Sequence, residues 1–288
     1  MAADRLTQLL GRWQEWELPL TAPPKCISKP KSFSDINDTY VIGSERWRAV
    51  IKIRQVVSQT FERSWDNELS ATKMASDLGI GPTLIFQDFE DDYLILEYVD
   101  ARPLETCPNL TDSLATILAS LHRQKLSLTT RNYKEEARRY LGQINKLDSN
   151  FAVQNQQLFE GAIRSADRLS DPTEHVVCHH DISAENILSD GKNLYFIDWE
   201  YACLAHPLFD LVCSQQLVRS DHLTRTNLTD AYQKKMGSKV DLTLLAHSQR
   251  LFHFYAIAWN LYLLHEQQKA ECQTEIHFHL EKLQSLAH

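Results

Sequence analysis

The stretch from Val176 to Tyr201, VVCHHDISAENILSDGKNLYFIDWEY, constrains this chain more than any other because it gathers oxygen-bearing side chains around a short hairpin. Ile187 and Leu188 begin one apolar strand and Leu194 to Ile197 form another; Ser189-Asp190-Gly191-Lys192-Asn193 between them carries an Asp-Gly turn signal. A turn centred on Gly191 and Lys192 sets Asn186 opposite Ile197, so Asn186 and Asp198 fall side by side at the open end of the hairpin. Two hard oxygen ligands at one point suit a divalent cation such as magnesium, which keeps waters and completes its octahedron with substrate phosphates. Asp181, upstream across a polar loop, can face the same point as a proton acceptor.

Taken singly, each of these residues reads as a turn former or a helix cap. Their joint spacing is what points to chemistry. Cys178, His179, His180 and Asp181 also offer zinc-ligand atoms, but neighbours in an extended chain point to opposite sides and the usual two-residue spacer is missing. His179 reads instead as a structural residue of the loop.

The length of 288 residues suffices for one large domain or two lobes. A net charge of -8 argues against nucleic acid as a partner and favours a cationic small molecule. Six cysteines without a C-x-x-C pair, and an N-terminus unlike a signal peptide, lead to the expectation of a reduced, cytoplasmic protein. The most apolar run, Leu251 to Leu264, is broken by His253 and Asn260 and is shorter than the ~20 residues that span a bilayer, so no membrane insertion is expected.

Along the chain, Leu6, Leu9, Leu10, Trp13 and Trp16 predict an amphipathic helix over 4–18, its stripe packed on the same chain or on a partner. Strand signals follow around Ile27 and Phe33, at Tyr40 to Ile42 and at Trp47 to Ile53, with Val50 and Lys52 on one face and Ile51 and Ile53 on the other. A helix from about Phe61 to Leu78, stopped by Gly79, precedes two strands joined by the acidic turn Asp88 to Asp92. Helices dominate afterwards: Thr111 can cap a helix ending at His122, residues 132–170 are helical, and Leu251 to Tyr262 form an aromatic centre. Core packing accounts for most of those rings, although Tyr255 and Trp259, spaced i,i+4, can also wall a cationic substrate.

His179-x-Asp181, Asn186 and the Asp198 that ends an apolar strand resemble the H-x-D-x-x-x-x-N loop and metal-binding Asp of kinases. The chain is similar here to the aminoglycoside phosphotransferase and choline kinase superfamily, and Ile197-Asp198-Trp199-Glu200-Tyr201-Ala202 looks most like its choline/ethanolamine and thiamine kinase branches. His180 stands where protein kinases have Arg, and Trp199 and Glu200 replace their Phe-Gly, which argues against a protein substrate. The resemblance implies an α+β, protein-kinase-like fold of two lobes. An antiparallel sheet with one helix would form residues 1–99, and a mainly helical lobe residues 100–288.

It also implies ATP and magnesium, and roles for residues along the chain. Ala49-Val50-Ile51-Lys52 resembles the V-A-I-K strand, so Lys52 would contact the ATP phosphates with Glu68 orienting it, although Glu68 also reads as a solvated helix residue. Ser34 and Asn37 lie where the family places its phosphate loop and the following N-x-x-Y, although Ser32 to Ile36 contain no glycine. Ile95 to Leu104 resemble the hinge, in which the backbone of Glu97 and Val99 would meet adenine. Asp181 would be the base, Asn186 and Asp198 the metal ligands, Trp199 and Glu200 part of the acceptor site, and Asp210 of His206-Pro207-Leu208-Phe209-Asp210-Leu211 a brace for the catalytic loop. The expected reaction is γ-phosphoryl transfer to a hydroxyl of a small, cationic metabolite. Two alternatives remain: an aminoglycoside or homoserine-type kinase, and a catalytically silent nucleotide-binding scaffold suggested by the glycine-free loop.

Overall fold

The computed structural model describes residues 2–30, 37–44, 47–54, 64–90, 92–217 and 222–286. In chain order these form α1 (Ala2–Gly11), a 3-10 turn (Trp13–Trp16), β1 (Lys25–Ser28), β2 (Asn37–Ser44), β3 (Trp47–Arg54), α2 (Trp65–Asp77), β4 (Leu84–Asp88) and β5 (Tyr93–Glu97). Then come α3 (Leu110–His122), α4 (Tyr133–Leu147), α5 (Ser149–Gln154), α6 (Gln156–Arg168), β6 (Val176–Cys178), β7 (Ile187–Ser189), β8 (Leu194–Phe196) and β9 (Cys203–Ala205). The chain finishes with α7 (Pro207–Leu217), α8 (His222–Met236), α9 (Leu242–Glu266) and α10 (Cys272–Ser285). Two compact units result: Met1–Leu110 with Ala184–Tyr201, and Thr111–Ser183 with Ala202–His288.

The first unit is built on an antiparallel sheet in the order β1-β2-β3-β5-β4. Side chains alternate across a strand, so β3 has to satisfy two environments at once. Ala49, Ile51 and Ile53 join Tyr40, Ile42, Tyr93 and Ile95 beneath Leu6, Leu9, Leu10 and Trp16. Full burial of a Leu or Ile side chain stabilises by about 1.5–3 kcal/mol, which is why the amphipathic N-terminal segment lies on its own sheet. That segment is α-helical only to Gly11 and continues as the 3-10 turn, not as one helix to residue 18. The Trp16 indole donates to the Tyr93 hydroxyl at 3.0 Å. Leu94 belongs to a separate apolar cluster with Trp65 and Leu69 of α2. Ser64 caps α2 by accepting from the Asn67 N–H, and Gly79 ends it in the left-handed region at φ 68°.

The β7–β8 hairpin pairs Ile187 with Phe196 and Ser189 with Leu194, and the Ile197 N–H donates to the Asn186 carbonyl at 2.9 Å. This is the register expected from the turn. Asp190 accepts from the N–H groups of Lys192 and Asn193, and Gly191 takes φ 90°. Two backbone hydrogen bonds fasten the hairpin to the first unit, from Phe196 to the Ile80 carbonyl and from Arg102 to the Ser189 carbonyl, each 2.7 Å. The grouping therefore differs from a division after Val99: Asp100 to Leu110 and the hairpin go with the sheet.

The second unit is mainly helical around α9, whose Leu251, Phe254, Ile257, Ala258 and Leu261 are buried and which packs on α4, α6, α7 and α10. Asp241 caps it, accepting from the Thr243 and Leu244 N–H groups. α3 begins at Leu110, so Thr111 lies in its first turn and does not cap it. β6 and β9 form a short antiparallel pair, Val176 opposite Ala205 and Cys178 opposite Cys203, which leads into the expected catalytic loop. Among the described residues no helix is long and apolar enough to cross a membrane.

Gly81 sits where α2 meets the hairpin. A Cβ there would lie 2.9 Å from the Ala75 Cβ and 3.2 Å from the Phe196 carbonyl oxygen. Gly81→Ala should therefore destabilise the chain by about 1–3 kcal/mol, read as a lower urea midpoint with an unchanged slope. An unchanged midpoint would show that this contact yields without cost.

Candidate active site

Lys52 is the centre of the site in the first unit. It is 8% exposed, and its Nζ lies 2.5 Å from Glu68 Oε1 and 2.5 Å from Asp198 Oδ1. Strand alternation turns Lys52 away from Ile51 and Ile53, toward α2. Burial alone would favour loss of its proton, but Asp198, Glu68 and Glu200 more than offset that and raise its pKa above the ordinary lysine range. The ion pair expected from sequence is formed, so Glu68 is no solvated helix residue.

Asp198 follows β8 in the left-handed region, φ 63°, a conformation that costs a non-glycine residue about 1–3 kcal/mol. Asn186, at the start of the opposite strand, is 8% exposed. One ammonium among the carboxylates of Glu68, Asp198 and Glu200 leaves two net negative charges. A divalent cation held by hard oxygens would balance them, so this charge fits magnesium, which Asn186 and Asp198 would hold. Glu200 is 4% exposed and acts on Lys52; Trp199 is 2% exposed and donates its indole N–H to the Phe196 carbonyl at 3.1 Å. Trp199 is thus largely buried, at the edge of the cavity that Lys52, Glu68 and Asp198 line. Glu97 closes β5, where its N–H donates to the Thr83 carbonyl at 2.9 Å, and Val99 follows in irregular chain. Asn37 opens β2 opposite Arg54, whereas Ser34 lies outside the described residues.

The second unit holds His179 to Asp181, the first part of the loop that runs on to Asn186. Asp210, fully buried on α7, accepts the N–H groups of His179 and His180, each at 2.8 Å, and lies 3.4 Å from His122 Nε2. Burial raises the Asp210 pKa, but the His122 hydrogen bond and the neighbouring histidines outweigh it, and the net shift is downward. The brace expected from sequence is therefore present. Asp181, half-buried, donates its N–H to His179 Nδ1 at 3.3 Å, which makes His179 a structural residue of the loop. In this run Cys178 and His180 turn to different partners. Cys178 faces the Ala205 carbonyl at 3.4 Å, His180 turns to Tyr133, and burial raises the Cys178 thiol pKa far above its usual value. His122, Cys178 and Asp210 do cluster, but Asp210 already takes two backbone donors and His122 Nδ1 meets the Tyr232 hydroxyl at 2.7 Å.

Sequence reasoning overlooked three groups. Tyr133, the first residue of α4, brings its hydroxyl to His180 Nε2 and to the His206 N–H. Phe209 stacks on His180, and Tyr262 stacks on Trp259 with ring centroids 5.6 Å apart. Tyr133 gives no local signal because its partners are remote in sequence; the i,i+3 spacing of Trp259 and Tyr262 was readable. Trp259 and Tyr262 are half-buried. Tyr255 is instead a core ring, packed 4.7 Å from Tyr140, with its hydroxyl 3.5 Å from the Tyr133 carbonyl.

Burial also depresses the pKa of His180, and of His206 despite the opposing pull of Glu174. The folded protein keeps both rings neutral where the unfolded chain, with an ordinary pKa of about 6.5, takes up protons. Their contribution is complete above about pH 6.5 and declines as pH falls below it. Urea titrations at about pH 7.5 and about pH 5.5 should show lower stability at the acid value. Equal stabilities would contradict neutral buried rings.

The Phosphotransferase enzyme family matches residues 33–238, well over half of the chain. A LicA homolog of Mycoplasma capricolum is 23% identical over 140 residues, which are 48% of this chain and 56% of that protein. The chain thus spans little more than half the length of that relative. Among solved structures, choline kinase LicA from Streptococcus pneumoniae superposes with a TM-score of 0.73 at 18% identity, covering 97% of this chain and 99% of that one. Spectinomycin phosphotransferase APH(9)-Ia, in complex with ADP and spectinomycin, gives 0.71 at 17% identity, with 98% of both chains covered. These likenesses show a kinase-like fold, and by the family match over residues 33–238 the chain belongs to the phosphotransferase enzyme family.

Proposed function

We propose that this protein transfers the γ-phosphoryl group of ATP to the hydroxyl of a small cationic metabolite of the choline, ethanolamine or thiamine type. The observation that carries the reading is Lys52, buried and paired at once with Glu68 and Asp198. A purely structural lysine needs one counter-ion. This one sits in an excess of negative charge that suits a cation–phosphate complex.

Phosphoryl transfer passes through a loose transition state, so positioning and neutralisation of charge supply most of the rate. Lys52 would exchange its Asp198 contact for phosphate oxygens while Glu68 keeps it oriented. Asn186 and Asp198 would hold magnesium, which when bound neutralises the phosphate oxygens. Asp181 would orient the acceptor hydroxyl and take its proton as the new O–P bond forms and ADP departs with the electrons of the broken bond. Ser34, Asn37, Glu97 and Val99 are assigned to nucleotide binding by motif. Glu200 adds negative charge that favours a cationic acceptor. Trp259, partnered by Tyr262, is the aromatic candidate for a cation–π contact.

The likeness to spectinomycin phosphotransferase supports an aminoglycoside-type acceptor as the second reading. Magnesium-dependent ADP release should be measured with choline, ethanolamine, thiamine, homoserine, kanamycin and spectinomycin in parallel. One cationic alcohol should accelerate it, and Asp181→Asn should lower turnover roughly 10²- to 10⁴-fold with ATP affinity retained. Acceleration by an aminoglycoside alone would replace the acceptor class, ATP binding without turnover would favour the silent scaffold, and an unchanged rate in the variant would remove Asp181 from the base role.

A further inference from the structure

The His180 ring lies flat on Phe209, with centroids 4.3 Å apart and planes at 4°. Its Nε2 is 3.3 Å from the Tyr133 hydroxyl, and its backbone N–H is held by Asp210 at 2.8 Å. The residue adopts φ 65°, left-handed backbone that is uncommon for an L-residue. Three elements, α4, α7 and the loop itself, thus converge on the residue directly before Asp181.

Hydrogen-bond accounting points to one tautomer of the ring. The Tyr133 hydroxyl accepts the His206 N–H at 3.2 Å and has a single proton of its own to give. Given to His180 Nε2, that proton leaves the ring neutral with its own proton on Nδ1, the tautomer the clamp requires. Burial, which depresses the pKa of this ring, acts in the same direction.

We infer that His180 is a positioning residue for Asp181: the clamp of Phe209, Tyr133 and Asp210 holds the left-handed turn that aims the carboxylate. This rests on the proposed role of Asp181 as the proton acceptor. In an H-x-D loop the middle side chain is free to serve another purpose. Here stacking and a hydrogen bond turn it into the fixed point of the loop.

His180→Asn keeps a side chain that tolerates left-handed backbone but removes the ring, and Tyr133→Phe removes only the hydroxyl. Both should be assayed for kcat, for KM of nucleotide and acceptor, and for thermal midpoint, alone and combined. The expected result is a fall in kcat of about 10- to 100-fold, little change in either KM, and losses that do not add in the double variant. Unchanged kcat in folded variants, or a kcat that merely follows the thermal midpoint, overturns the role. The long-range ¹H–¹⁵N spectrum of the histidine rings, with His180 assigned by its absence in His180→Asn, needs no turnover. It should show Nε2 unprotonated in the wild type and altered in Tyr133→Phe. A protonated Nε2 refutes the clamp. A wild type without turnover on any acceptor overturns the role of Asp181 and the positioning role with it, whereas an active wild type with active variants overturns the positioning role alone.

Discussion

The Lys52 ammonium lies 2.5 Å from carboxylates on two separate segments, Glu68 in α2 and Asp198 after β8, and much of the first unit keeps this contact in place. A buried ion keeps its charge only when paired, and removing one partner of such a pair generally costs about 3–5 kcal/mol. β3 therefore has to present Lys52 on one face while its other face remains apolar, which the α1 segment secures by covering Ala49, Ile51 and Ile53. α2 has to approach closely, which Gly81 permits beside Ala75. The hairpin has to dock on the same unit, which the Phe196 to Ile80 hydrogen bond accomplishes.

Periodicity and turn chemistry made most of this legible. The two faces of β3 follow from alternation, and the register of β7 and β8 follows from one Asp-Gly turn, because a hairpin's turn fixes every pairing behind it. The chain ends of elements were less readable. The N-terminal helix gives way to a 3-10 turn after Gly11, and α3 starts one residue before the residue taken for its cap. The grouping of the hairpin with the sheet depends on backbone hydrogen bonds between segments about 90 residues or more apart, and no local pattern encodes those.

Aromatic residues show the same boundary of legibility from the side of function. Tyr255 and Trp259 share helical spacing, yet Tyr255 turns into the core against Tyr140 while Trp259 meets Tyr262 three residues on. Spacing defines which residues share a stripe, but the packing partners decide which of them is buried. Trp199 shows the same limit: the motif places it beside Asp198, but its 2% exposure could not be read from the motif.

Backbone strain ties the two functional segments to one physical logic. His180 and Asp198, both non-glycine, take positive φ at 65° and 63°. Glycine would adopt either turn without penalty but would leave the chain free to abandon it. A side chain that is gripped reverses that balance, since the contacts which offset about 1–3 kcal/mol of strain also exclude the relaxed alternatives. At Asp198 the grip is the Lys52 ion pair; at His180 it is the Phe209 stack, the Tyr133 hydroxyl and the Asp210 carboxylate. Each strained residue is thus held by groups whose own positions are set by burial, so its backbone follows from the packing of the unit that carries it.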